Sequence, residues 1–320
     1  MYRLFAGVIM TLIAYWYAPD ACAKDRVKVV LVDSGEDIYT DLINEIREKA
    51  KTHNIDNLEI KSLTELVKLY KERQAGECLL LAPVGTKSTK SVVETINDLP
   101  ILSVALPRVN YQTLLKMDRA ERSKKAFRQF SAIYLDQPVA RRISLIKQIL
   151  PRANRISVLL GPATYNMKDE LIQGFQTYDY TVNVGYYEEK QNLVKVLDVL
   201  LENSDALMGI ADPAVFNEQN ARNLLLTAYR WKVPMIGISP AYVRAGAMAA
   251  VYTSPAQFAS QFVEIIDKLQ TCDDEIVKKS GYPKYFDVKV NYRVAEALGI
   301  VVENEDLLRK KISRSGTASE

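Results

Sequence analysis

Histidine is almost missing from this chain: His53 is the only one in 320 residues. That excludes His-rich metal sites and most imidazole acid–base chemistry. Cysteine is nearly as scarce, with Cys22, Cys78 and Cys272, and no Cys-x-x-Cys pair exists to support a thioredoxin-like role. Neither sign of charge dominates. Lys and Arg number 42 against 39 Asp and Glu, a net +3, so nothing calls for a nucleic-acid partner. Apolar residues at 48% and charged residues at 25% exclude disordered, collagen-like and coiled-coil classes. There is no G-x-S-x-G, H-E-x-x-H or G-x-G-x-x-G. The Gly85-Thr86-Lys87-Ser88-Thr89 run lacks the Gly-Lys pair and earlier glycine of a phosphate loop, and reads as a helix start. No cofactor and no catalytic set is expected.

The first segment present is an address. Arg3 precedes a 15-residue apolar run from Leu4 to Ala18, and Ala21-Cys22-Ala23 follows Pro19 and Asp20. This is the layout of a secretory signal peptide, with cleavage expected after Ala23 and export to the periplasm. The run falls short of the roughly 20 residues that span a bilayer. Cys78 opens an apolar strand-like run and reads as a buried free thiol. A single bridge to Cys272 would require the two Cα atoms to lie close.

Residues 24–312 repeat one plan. Apolar runs at 27–32, 58–60, 78–82, 100–106, 155–160, 181–186, 206–210 and 234–238 read as strands, and 130–136 reads as a stretch linking two halves. Amphipathic segments at 39–50, 64–73, 88–96, 140–150, 167–175, 193–201, 218–231 and 255–269 read as helices. Such alternation means right-handed β-α-β units on a parallel sheet, and strands apolar on both faces mean helices on both sides. Leu99-Pro100-Ile101-Leu102-Ser103 is echoed by Val233-Pro234-Met235-Ile236-Gly237, which fits two similar halves. Residues 239–254 read as a linking stretch and 313–320 as a disordered tail. The expected organisation is two α/β, Rossmann-like lobes: 24–133 with about 250–284, and 134–249 with about 285–312.

Ligands of open α/β sheets bind at the carboxyl ends of strands, where helix N-termini offer free N–H groups. The candidate loops are 33–37, 84–88, 106–110, 161–165, 212–216 and 239–242. From them and the adjoining segments come Ser34, Gly85, Thr86, Tyr134, Asp136, Gly161, Asp212, Ser239 and Tyr252. Asp136 and Asp212 suit either helix capping or a ligand ammonium. Of seven aromatics in these segments (Tyr39, Tyr111, Tyr134, Tyr165, Phe216, Tyr242, Tyr252), two or three are expected to line a cleft.

The run Ala132-Ile133-Tyr134-Leu135-Asp136-Gln137-Pro138 resembles the inter-lobe crossing of tryptophan/tyrosine-type ABC transporter substrate-binding proteins. So do Ser204-Asp205-Ala206-Leu207 with Asp212-Pro213, and Val233 to Ser239 continuing through Ala245-Gly246-Ala247 to Val251-Tyr252. The resemblance covers residues 130–300. It implies a type I periplasmic binding-protein fold: two lobes, three crossover segments and a small-molecule cleft between them. It also implies a monomer that delivers its ligand, in some members an aromatic amino acid, to an ABC permease in the inner membrane. By position Thr86, Tyr134, Asp136, Asp212 and Ser239 would meet the ligand, Asp212 its ammonium and Thr86 its carboxylate. The first lobe departs from the family pattern, having no Gly-Phe pair in residues 33–50. The other function that this fold allows is a sensor that docks on a membrane receptor without transport.

Overall fold

A computed structural model describes residues 27–74, 77–121, 129–269, 271 and 275–316. The segment expected to be a signal peptide, residues 1–23, therefore lies outside the described residues. In chain order the first lobe contains β1 (Lys28–Asp33), α1 (Thr40–Thr52), β2 (Leu58–Ser62), α2 (Leu63–Glu72), β3 (Leu79–Pro83), α3 (Gly85–Thr95), β4 (Ile101–Leu106), α4 (Arg108–Glu121) and β5 (Phe130–Tyr134). Its five strands are parallel, in the order β2-β1-β3-β4-β5.

The second lobe starts with α5 (Val139–Ile149), β6 (Arg155–Leu160), α6 (Lys168–Gln176), β7 (Thr181–Tyr186) and α7 (Leu193–Leu201). It continues through β8 (Ala206–Met208), α8 (Glu218–Arg230), β9 (Met235–Ile236), α9 (Pro240–Ala245) and β10 (Ala249–Tyr252). The chain then forms α10 (Pro255–Asp267), β11 (Asp287–Val290), α11 (Tyr292–Ala297) and α12 (Glu305–Gly316). The second sheet runs β11-β10-β9-β8-β6-β7, parallel except for β11, which is antiparallel to β10.

The period-2 pattern of the strands assigns their faces. In lobe 1, Val29, Leu31, Leu80 and Ala82 pack with Leu42, Ile43 and Ile46 of α1 and Phe258 and Phe262 of α10. Val30, Val32, Leu79 and Leu81 pack on the other side with Leu66, Val92, Val93 and Leu114. In lobe 2, Ile156, Val158 and Leu160 meet α5, α6 and α12 through Ile143, Phe175 and Leu308. Leu159 and Leu207 meet α7 and α8 through Leu197 and Leu224. The packing of α10 on α1 returns late sequence to the first lobe.

Four readings are corrected. Residues 239–254 are not a linker: α9 and β10 lie there, and β10 is a buried strand of the second sheet. Helix α4 occupies what reads as a plain loop at 106–110 and the residues beyond it. The tail reading fails for 313–316, which continue α12; 317–320 lie outside the described residues. Finally, Cys78 is half of a disulfide rather than a free thiol, and the partner sulfur lies outside the described residues.

Candidate functional site

The three crossings are tied to one another. Gln137, in the first, donates to Thr253 Oγ1 in the second at 2.7 Å, and Thr253 donates to the Tyr285 carbonyl in the third at 2.7 Å. Arg141 donates to Gln137 Oε1 at 2.6 Å and to the Pro283 carbonyl at 3.1 Å, and lies 4.2 Å over the Phe286 ring. Tyr134 N–H donates to the Gly281 carbonyl at 2.8 Å, so the third crossing also hydrogen-bonds to the end of β5.

Beside this knot stands a charged floor. Asp136 accepts the Arg108 backbone N–H at 2.6 Å, which caps the start of α4. Burial pushes the Asp136 carboxyl up, against the pull of that N–H and of Arg142. Arg142 donates to the Gly209 carbonyl at the end of β8, and burial brings its guanidinium down to about 10 despite Asp136. Arg108 reaches from lobe 1 to Glu170 in the first turn of α6 in lobe 2. The pairing is two-pronged, with Nη2 donating to Oε2 at 2.8 Å. Nη1 also donates to the Tyr282 hydroxyl at 3.0 Å, and these hydrogen bonds, Glu170 first, push the Arg108 guanidinium up. Tyr134 stacks edge-on against Tyr282 at 5.4 Å and is tilted on Tyr111 at 5.5 Å.

On the lobe 1 side, Gly85 opens α3 at φ +73°, a backbone conformation that favours glycine. A Cβ there would stand 2.3 Å from the Tyr39 ring, which lies directly over it. Burial raises the Tyr39 hydroxyl, with Glu36 adding to it. Thr86 accepts from Asn110 Nδ2 at 2.9 Å, joining the starts of α3 and α4. Ser34 donates to Glu36 at 2.8 Å and lines a cavity of about 460 Å³ beside β1 and β2.

On the lobe 2 side, Gly161, Thr164 and Asp212 form one unit. Gly161 N–H donates to Thr164 Oγ1 at 3.0 Å, Thr164 donates to Asp212 Oδ2 at 2.9 Å, and Ala214 N–H donates to Asp212 Oδ1 at 2.9 Å. Asp212 is 1% exposed, and a Cβ on Gly161 would fall 2.3 Å from its carboxylate. Ser239 caps α9 by accepting the Tyr242 N–H at 3.4 Å. Tyr242 lies 5.9 Å from Phe216, and burial pushes its hydroxyl up to about 12. Tyr252 sits opposite Asp287 in the β10–β11 pair.

The nine residues from the sequence thus fall into separate groups: Gly85 with Thr86, Tyr134 with Asp136, Gly161 with Asp212, Ser34 and Ser239 each on its own loop, and Tyr252 at the end of β10. Sequence reasoning missed Arg108, Arg142, Glu170 and Tyr282. The signal for Arg108 was its place just after Pro107 at the exit of β4. Glu170 offered none, because acids are ordinary in a helix's first turn. Among the described residues, no cluster of three or more His, Cys, Asp or Glu is placed to hold a metal ion, and no helix is long and apolar enough to cross a membrane.

Two α/β lobes with three tied crossings define a type I periplasmic binding-protein fold, and solved structures agree. A conserved domain protein from Vibrio cholerae superposes with a TM-score of 0.60 at 18% identity, covering 89% of this chain and 98% of that one. An ABC domain in complex with L-Trp from Streptococcus pneumonia gives 0.58 at 16%, with the same coverages. A ligand-free, open substrate binding protein with adhesive properties from Clostridium difficile gives 0.62 at 15%, covering 86% and 95%. No curated protein matches the chain. The family model for ABC transporter substrate binding proteins matches residues 27–313, and the chain belongs to that family.

Proposed function

We propose that this protein is exported to the periplasm, captures an amino acid between its lobes and delivers it to an ABC permease. The family match over residues 27–313 carries the reading. The ligand class is favoured by the L-Trp held by the Streptococcus relative and by the aromatic residues around the crossings. Thr86, Gly85 and Ser34 form the lobe 1 rim, Tyr134 and Asp136 the floor, and Gly161, Ser239 and Tyr252 the lobe 2 rim. The engagement of Asp212 by Thr164 and Ala214 suits a positioning role: it fixes the Gly161 loop rather than meeting the ligand ammonium itself. The protein acts as a monomer, and capture turns on hinge closure rather than chemistry.

The test is thermal unfolding of residues 24–320 against the twenty amino acids. A ligand at 100 times its Kd adds about 2.7 kcal/mol, a shift of roughly 5–10 °C for lobes of this size. A shift confined to tryptophan, tyrosine or phenylalanine is the expected result. A flat panel overturns the amino-acid class and leaves family and fold untouched.

A further inference from the structure

Of the three arginines around the crossings, two are tied down. Arg108 is held by Glu170 and Tyr282, and Arg141 by Gln137, the Pro283 carbonyl and the Phe286 ring. Arg142 is not. Among the described residues its guanidinium has a single acceptor, the Gly209 carbonyl, and makes no ion pair. Nε and Nη1 donate to no group there, yet neither is a sealed atom without a partner, so both reach open space. The residue as a whole is partly exposed.

Its place in the fold points those spare donors at a ligand. Arg142 ends the first turn of α5, directly after the first crossing. Gly209 follows β8, so the guanidinium stands at the carboxyl end of the lobe 2 sheet, where open α/β sheets take their ligands. Asp136 is near enough to pull on its charge, and Tyr282 adds to that pull. Asp136 gives one oxygen to the Arg108 N–H, and among the described residues it forms no salt bridge with Arg142. Burial lowers the guanidinium only to about 10, so it stays charged at neutral pH. A charge largely withdrawn from water with most of its donors unused is costly, and a bound anion removes that cost. The planar fork matches a carboxylate. Asp136 beside it repels a second negative charge and favours a cation.

We infer that Arg142 holds the carboxylate of the cleft ligand, with a ligand ammonium facing Asp136. The inference rests on reading the inter-lobe space as the ligand cleft, and it deepens the amino-acid proposal by assigning the two charges. The Gly209 carbonyl orients the guanidinium and leaves its other N–H groups for the ligand.

The test is isothermal titration of residues 24–320 with L-tryptophan, L-tyrosine and L-phenylalanine, and with the amide of each, which keeps the ammonium and lacks the carboxylate. Indole-3-propionate and phenylacetate, which keep the carboxylate and lack the ammonium, complete the set. At least one amino acid should bind at least about tenfold more tightly than its amide. Arg142→Gln should weaken that amino acid by about 10–100-fold and its amide by less than about twofold. Arg142→Lys keeps the charge and loses the fork, so it should weaken the acid severalfold and spare the amide; it carries the test if Arg142→Gln does not fold. Equal losses for acid and amide would make Arg142 a prop for the end of β8, and the assignment would fall while the amino-acid reading stood. Unchanged affinity for the acid in both variants has the same meaning. Propionate or phenylacetate binding as tightly as the amino acids, and lost in Arg142→Gln, would keep Arg142 and overturn the ammonium at Asp136 together with the amino-acid reading. No binding by any of the five acids overturns both.

Discussion

At the scale of single residues, the two glycines against side chains make the sharpest claims. Gly161→Ala would drive a Cβ into the Asp212 carboxylate, and Gly85→Ala would meet both the Tyr39 ring and a positive φ. Each should cost about 1–3 kcal/mol in denaturant unfolding. Gly161→Ala should also weaken cleft binding, because it displaces the loop that Asp212 holds. Tyr242 sets a pH test. Its folded value of about 12 lies above the ordinary 10, so the folded state holds the proton more tightly. The associated stability is complete below pH 10 and falls away as pH rises to 12, on the order of 1–2 kcal/mol. Tyr242→Phe should flatten that part of the stability profile. Gly85, Asp136 and Asp212 were legible as loop residues at strand exits. Their partners were not: Arg108 and Glu170 stand 62 positions apart, and nothing in spacing announces a contact that only lobe packing creates.

At the scale of elements, α10 shows why periodicity read most of this fold. Its apolar stripe puts Phe258, Phe262 and Ile266 on one face, and Ser254 and Gln257 complete a capping box at its start. Phe262 is fully buried against α1, so Phe262→Ala should cost about 3–5 kcal/mol. Loss of the cap in Ser254→Ala should cost about 1 kcal/mol. Both would be read from urea midpoints, with Phe262→Ala acting on lobe 1 first. The elements that escaped the sequence are short or mixed. Strand β10 has four residues next to six-residue α9, too few to display a period, and small residues there looked like a linker. Helix α4 begins with Arg108 and carries polar residues through most of its length, so its apolar stripe is thin. The direction of β11 is set by its partner β10, which no local pattern encodes.

At the scale of the molecule, Arg108 and Glu170 join the lobes outside the crossings. Both are partly exposed, so the pair contributes about 0.2–1 kcal/mol. Arg108→Ala, or Glu170→Gln, should therefore shift the balance between open and closed lobes by roughly 1.4- to 5-fold towards open. X-ray scattering of the ligand-free protein should report a larger radius of gyration in either variant, and high salt should bring the unaltered protein towards the same value. An unchanged radius in both variants would show that the crossings alone set lobe separation.

The path of the chain has a consequence for its biosynthesis. One face of the lobe 1 sheet has α1 but lacks its second covering helix until α10 is made, and lobe 2 lacks an edge strand and a covering helix until β11 and α12 follow. Neither half can finish folding while most of the polypeptide is still being synthesised. If the chain is exported as proposed, through a translocation channel, this interleaving acts as a built-in delay. It keeps the chain pliable until nearly all of it is available to cross.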